Sequence, residues 1–354
     1  MFSFRTSPLA DQMDKALTGG RVGVVATPAC YDPVTGQYVW DIFRDRGNLE
    51  FLCVPSGGEL DPSSSLPAIP DETLSQLDAL VVDIRDAGSR YFPHTRFVCS
   101  LIGKLSMMEN PPAVYVVDHV NPAGRFVEGT VPVVQCEPST PRVAHRHGLT
   151  IGELCYLCLS ESGGRFALHV ISARAGQADR MLLPWGIPPS ADLPGMFSCL
   201  MYSGGALWEH SSVSSAQGSS RPYEFVGAPY LSQQDVRYLP APEGVFLRPC
   251  SFTPSQGQYR GELCNGFQII PGPGALYHSF LHTVLLMRSL LSRYSQFEFR
   301  PGFAERLADP VVSAYLREEI TFDVVQEHVK SEEQRWIRRA KRFLLYDDAP
   351  VRMK

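Results

Sequence analysis

The chain has 354 residues, of which 44% are hydrophobic and 19% charged, with a formal net charge of −5. That length exceeds what one hydrophobic core usually serves, so two domains are expected. The mildly acidic balance offers no broad basic field and argues against nucleic acid or an anionic membrane surface as the main partner.

The N-terminus, Met-Phe-Ser-Phe-Arg-Thr-Ser-Pro-Leu-Ala, lacks an apolar core of signal-peptide length. No run elsewhere reaches the roughly 18 apolar residues of a membrane span, so a cytoplasmic protein is expected. The nine cysteines, among them Cys53, Cys99 and Cys199, sit mostly in apolar segments, and their odd number fits reduced core thiols better than a disulfide framework. Cys155 and Cys158 form a C-x-x-C inside an expected helix with no second ligand pair nearby. Core packing is favoured there over metal or redox work.

In chain order, short β-rich runs occur at 21–26, 49–55, 79–83, 113–118 and 166–172. Between the third and fourth, residues 95–108 carry Phe97, Val98, Leu101, Leu105 and Met108 at helical spacing. A further helix is expected from Thr150 to about Ser160, where Thr150 as N-cap and Glu153 three residues on make a capping box. Strands alternating with helices imply a parallel sheet with right-handed crossovers, a doubly wound, Rossmann-like α/β domain over residues 1–184. From 184 to about 273 proline, glycine and serine dominate, which predicts irregular, site-building structure. Helices follow over 275–294 and 332–345. Residues 185–354 are expected to form a second, smaller α+β domain.

Ligands of an open parallel sheet bind outside the carboxyl ends of its strands. That rule selects Ser56, Gly57, Gly58 and Glu59 after the second run, Asp83, Asp86 and Arg90 after the third, and Asp118, His119 and Asn121 after the fourth. The third edge, Ala79-Leu-Val-Val-Asp-Ile-Arg-Asp-Ala-Gly-Ser-Arg-Tyr91, is the densest, and Gly88 allows a positive φ or a closely approached backbone within it. A phosphate loop lacks both G-x-G-x-x-G and a Walker lysine. Ser56 lacks the G-x-S-x-G setting of a hydrolase nucleophile.

Several motifs in order resemble the NamZ-type exo-β-N-acetylmuramidases, formerly a domain-of-unknown-function family. Asp83-Ile-Arg-Asp-Ala-Gly-Ser-Arg-Tyr-Phe92 is similar to D-I-Q-D-V-G-A-R-F-Y. Asp118-His-Val-Asn-Pro-Ala-Gly with Val127-Glu-Gly129 resembles D-R-P-N-P-x-G with V-E-G. His147-Gly-Leu-Thr-Ile-Gly-Glu-Leu154 resembles H-G-M-T-I-G-E-L, Arg221-Pro-Tyr-Glu-Phe-Val-Gly-Ala-Pro229 resembles x-P-F-E-x-x-G-A-P, and Phe343-Leu-Leu-Tyr346 matches the usual C-terminal end. The resemblance implies a Rossmann-like domain and a smaller C-terminal domain with the site in their cleft. It also implies removal of N-acetylmuramic acid, or a related amino sugar, from the non-reducing end of peptidoglycan fragments. Neither a metal nor a nucleotide cofactor is implied, and the partner is a small carbohydrate.

The departures from the family pattern are specific. P-E-H-G appears as Pro55-Ser56-Gly57-Gly58, so the expected catalytic glutamate is a serine. E-G-T-N-x-S-x-G-R-G-T appears as Glu209-His-Ser-Ser-Val-Ser-Ser-Ala-Gln-Gly-Ser219, which keeps Glu209, Ser214 and Gly218 but has Gln217 for arginine. P-S-P-N becomes Pro189-Ser-Ala-Asp192. Glycoside hydrolysis usually needs two carboxyl groups. The resemblance and the strand-edge rule together give Asp83, Asp86, Glu209 and Asp118 as catalytic candidates. Ser56, Glu59, Arg90, Tyr91, Asn121, Glu128, His147, Ser214, Gln217 and Glu224 are the substrate-binding candidates. Plainer roles stand beside these: Asp86 and Arg90 as a mutual pair, Glu224 as a loop tie, His147 as a structural hydrogen bond, and Trp185 and Trp208 as core aromatics rather than sugar platforms. Two functions follow: a glycoside hydrolase diverged in substrate, or a catalytically inactive sugar-binding or regulatory homologue that lost the P-E-H-G acid.

Overall fold

The structure is a computed structural model that describes residues 15–32, 35–55, 66–133, 141–172 and 187–353. Its helices are α1 (Lys15–Gly19), α2 (Val39–Arg46), α3 (Asp71–Ser75), α4 (Pro93–Ser106), α5 (Ile151–Ser162), α6 (Met196–Gly205), α7 (Ser279–Arg293), α8 (Phe303–Leu307), α9 (Pro310–Leu316) and α10 (Phe322–Ala340). Its strands are β1 (Val22–Ala26), β2 (Leu49–Cys53), β3 (Ala79–Asp83), β4 (Ala113–Asp118), β5 (Phe126–Val127), β6 (Leu168–Ser172), β7 (Phe225–Ala228), β8 (Val245–Phe252), β9 (Cys264–Pro271) and β10 (Val351–Arg352).

The five runs read from the sequence form one parallel sheet in the order β2-β1-β3-β4-β6. Every residue of β1 and β3 is buried, as expected of strands covered on both faces. Alternate side chains divide between two cores. Val22, Val24, Ala26, Ala79 and Val81 pack with Phe43 on one face, and Val25, Leu80 and Val82 pack with α4 and α5 on the other. The chain leaves β1 for β2 on one side and returns to β3 on the other. That reversal opens a crevice at the carboxyl ends of β1 and β3.

The α5 capping box forms: Thr150 Oγ1 accepts from Glu153 N at 3.3 Å, and Glu153 Oε2 accepts from Thr150 N at 2.9 Å. Two expectations are corrected. Residues 184–273 are not largely irregular, because the described part holds α6 and an antiparallel sheet in the order β7-β9-β8. Pro249 obscures β8 in the sequence, but β8 is an edge strand, where proline is tolerated. The last long helix begins at Phe322, ten residues before 332. Its first half buries Val325 and Val329 alone, too sparse an apolar stripe to stand out.

The second core is built mainly from α6, β7, β9, α7 and the helices after it, yet Ala87, Tyr91, Phe92 and Ala123 from the β3 and β4 edges belong to it too. The C-terminus returns to the first sheet's side: Trp336 packs in that core, its Nε1 donating to the His147 carbonyl at 2.9 Å, and β10 pairs with β5. Among the described residues no helix is long and apolar enough to cross a membrane.

Candidate active site

A cavity of about 240 Å³ lies at this crevice. Thr27, Pro28 and Ala29 after β1, Pro55 after β2, and Tyr91, Phe92, His94 and Arg96 after β3 form one wall. Asp192, Tyr202, Glu209, Gln217, Tyr223 and Arg306 form the other. The volume is below that usual for a drug-sized ligand and suits a single sugar ring.

Among the described residues, Glu209 is one of the two acids that line the cavity. It follows α6 on a 3-10 turn, and its carboxylate accepts from the Tyr223 hydroxyl at 2.8 Å and from Arg306 Nη2 at 2.7 Å. Gln217 Nε2 donates to the same Tyr223 oxygen at 3.4 Å. The loop that brings these groups together is held in unusual backbone: Ala216 and Tyr223 have φ of 58° and 63°, a region non-glycine residues rarely adopt. Burial and the nearby Glu209 carboxylate push the Tyr223 hydroxyl well above its usual range, so it stays a proton donor to Glu209.

Asp192 is the second carboxyl of the cavity. It is 5% exposed, and its Oδ1 accepts from Gly218 N at 3.0 Å. Burial raises its pKa, the Gly218 N–H offsets part of that, and the Glu209 charge raises it again. His94 donates from Nδ1 to the Arg85 carbonyl at 3.1 Å, and burial holds its imidazole below the ordinary value.

Of the sequence-selected candidates, Glu209, Tyr91 and Gln217 line this cavity. The Tyr91 hydroxyl bonds His145 Nδ1 at 2.6 Å and donates to the Arg306 carbonyl at 3.3 Å. Ser56 and Glu59, with Gly57, Gly58 and Trp185, lie outside the described residues.

The remaining candidates stand behind the walls, with identifiable partners. Asp83 Oδ1 accepts from His119 Nε2 at 2.6 Å, while its backbone carbonyl accepts from Thr27 N. Asp86 accepts from Thr95 Oγ1 at 2.5 Å and Ala87 N at 2.7 Å, and its Oδ2 lies 3.1 Å from His147 Nε2. Burial works to raise the Asp86 carboxyl, but the imidazole and hydroxyl outweigh it and hold it below the usual range. The mutual Asp86–Arg90 pair weighed in the sequence is replaced by these contacts and by Arg90's own carbonyl partners, Thr130, Arg306 and Leu307.

Asp118 accepts from Thr150 Oγ1, Gly152 N and Tyr346 OH at 2.7, 2.9 and 2.7 Å, tying β4, α5 and the C-terminal segment together. Asn121 bridges Ala123 N and the Leu149 carbonyl. Glu128 pairs with Arg146 and accepts from Ser279 Oγ and Phe280 N at the start of α7. His147 Nδ1 accepts from Leu149 N, and Ser214 Oγ accepts from Ala216 N. Glu224 accepts from Arg221 and Gln268, on the other side of the chain from Tyr223. Trp208 is fully buried in the second core.

Cys30, Asp83 and His119 bring metal-binding atom types within 4.8 Å of one another. Their present arrangement is a hydrogen-bonded one. Burial and the positive Arg85 lower the His119 pKa, and burial followed by the Asp83 charge raises the Cys30 thiol.

Sequence reasoning missed Asp192, Arg306, Tyr202, Tyr223, His94 and Arg96. Asp192 and Tyr223 carried a signal, since both sit inside motifs quoted above. Arg306 lies in an ordinary charged turn of helix and carried none.

The chain matches the sequence models described as "Exo-beta-N-acetylmuramidase NamZ, N-terminal" over residues 66–196 and "Exo-beta-N-acetylmuramidase NamZ, C-terminal" over residues 200–346. It is 25% identical over 377 aligned positions to the "Peptidoglycan beta-N-acetylmuramidase NamZ" of Bacillus subtilis (strain 168), spanning 94% of this chain and 88% of that protein. Two crystal structures of DUF1343 family proteins from Bacteroides fragilis NCTC 9343 share the fold. One has a TM-score of 0.79 at 22% identity, covering 96% of this chain and 98% of the other; the second has 0.72 at 20%, covering 96% and 97%.

Proposed function

Because the chain belongs to the exo-β-N-acetylmuramidase NamZ family, we propose that it is a glycoside hydrolase that removes a terminal N-acetylmuramic acid, or a related amino sugar, from peptidoglycan fragments. The observation that carries this reading is the Glu209 carboxylate, fixed by Tyr223 and Arg306 inside a cavity of single-sugar size. Fixed dipoles and charges around a carboxylate are what an oxocarbenium-like transition state requires, because positive charge develops at the anomeric carbon.

In this reading Glu209 faces the anomeric carbon, and Tyr91 and Gln217 contact the sugar. Arg96, on the wall after β3, supplies positive charge toward the lactyl carboxylate that distinguishes muramic acid from glucosamine. Asp83, Asp86 and Asp118 hold the strand ends from behind. The chain divides into residues 1–184 and 185–354 with the cavity between the parts, and the C-terminal segment from Trp336 packs back onto the first part. A cytoplasmic setting is supported by the free state of the eight described cysteines.

The test is incubation of the purified protein with a chromogenic N-acetylmuramide and with cell-wall-derived disaccharides. Release of N-acetylmuramic acid supports the reading. Calorimetric binding of the same sugars without turnover would replace it with that of a silent sugar-binding protein.

A further inference from the structure

We propose that Asp192 is the proton donor to the departing glycosidic oxygen, working with Glu209 from the same wall of the cavity. The assignment rests on the glycosidase reading above and adds to it a residue and a role.

The cavity wall offers few groups able to give up a proton. The tyrosines Tyr202 and Tyr223 hold theirs too tightly, both being raised by burial and by Glu209. His94 has its Nδ1 proton committed to the Arg85 carbonyl, and its lowered pKa leaves Nε2 bare at neutral pH. Glu209 is committed as the carboxylate partner of Arg306. Asp192 remains.

Its environment suits the role. One oxygen is fixed by Gly218 N at 3.0 Å, and Gly218 itself stands at φ 70° in the strained loop that also presents Gln217. Among the described residues the other oxygen makes no hydrogen bond, which leaves it available to a ligand in the cavity. Burial and the neighbouring carboxylate favour its neutral form. Two carboxyl groups share one cavity, one paired with a guanidinium and one nearly dry, and such unlike surroundings are what separate the acid of a glycosidase from its stabilising carboxylate.

In the bond-breaking step the Asp192 proton moves to the glycosidic oxygen. The C1–O electron pair leaves with that oxygen as a neutral alcohol, and the positive charge at C1 faces Glu209. Water then supplies hydroxide to C1 and returns its remaining proton to the Asp192 carboxylate.

The experiment compares wild type with Asp192→Asn, which preserves the acceptor for Gly218 N, on two substrates. One is a 4-nitrophenyl N-acetylmuramide, whose phenolate leaves without protonation; the other is an unactivated muramyl disaccharide. The expected result is a loss of about 10³-fold in kcat/KM on the disaccharide with less than about tenfold on the nitrophenyl glycoside. The high-pH limb of the disaccharide profile should also disappear, because activity falls as the acid loses its proton. Equal losses on both substrates, or no loss on either, would overturn the assignment while leaving the glycosidase reading standing. Wild type inert toward both substrates would overturn both.

Discussion

Arg90, wholly buried behind the cavity, donates to the Arg306 carbonyl oxygen at 3.2 Å, while the Arg306 guanidinium on the other side holds Glu209 at 2.7 Å. A residue of the β3 edge thus positions the arginine that holds Glu209, 216 residues away in sequence. The planar fork of arginine matters, since Arg90 also reaches the carbonyls of Leu307 and Thr130 at 2.8 and 2.7 Å. Arg90→Lys cannot span all three acceptors. It is expected to lower stability by about 2–4 kcal/mol in urea unfolding, since a buried hydrogen bond to a charged group is worth about 1.5–3 kcal/mol. A variant as stable as wild type would deny Arg90 this role.

Asp118 was a catalytic candidate in the sequence, and its contacts point to a mechanical role. Its carboxyl, raised by burial, is surrounded by Thr150, Gly152 and Tyr346. Asp118→Asn should cost about 1–3 kcal/mol of stability, the usual result of leaving a buried donor unsatisfied. Its kcat below the melting transition should remain within a few-fold of wild type. A thousandfold drop in a fully folded variant would restore Asp118 to the catalytic set.

Arg96 is expected to read the lactyl group. Arg96→Gln should raise KM for an N-acetylmuramide by about tenfold, equivalent to about 1.4 kcal/mol of lost ground-state binding, with kcat little changed. The corresponding N-acetylglucosaminide, which lacks the carboxylate, should show no change in KM. Parallel changes for the two sugars would count against this specificity role.

The Asp309–His328 pair, 2.8 Å apart, makes stability depend on pH. The Asp309 hydrogen bond raises His328 above its ordinary 6.5, so this contribution is complete below 6.5 and is lost as pH climbs through the raised value. Burial works to raise Asp309, but His328 and the Val312 N–H hold it below its ordinary 3.8. That contribution is complete above 3.8 and is lost as pH falls through the lowered value. His328→Gln should therefore lose most stability between these two values and least near pH 9, read by urea unfolding at pH 5 and pH 9.

The parallel sheet was legible because its strands are short apolar runs that end in polar clusters, as Ala79–Asp83 does. Gly88 was legible as well: it has φ 77°, and a Cβ there would stand 2.3 Å from Asn121 Oδ1. The far wall was harder to read. Backbone in the left-handed region at Ala216 and Tyr223 decides which side chain faces the cavity, so the motif reading chose Glu224 where Tyr223 is the residue on the wall. Periodicity carries no information about such a loop. Most of the acids chosen by the strand-edge rule hold the edge together, whereas the cavity acids Glu209 and Asp192 arrive from the second half of the chain.

Glu209→Gln is the decisive variant for a carboxylate proposed to act at the anomeric carbon. With a chromogenic N-acetylmuramide at saturating concentration, kcat should fall by about 10³-fold or more while the melting temperature stays within a few degrees of wild type. A folded Glu209→Gln protein that turns the substrate over at the wild-type rate would remove Glu209 from the reaction.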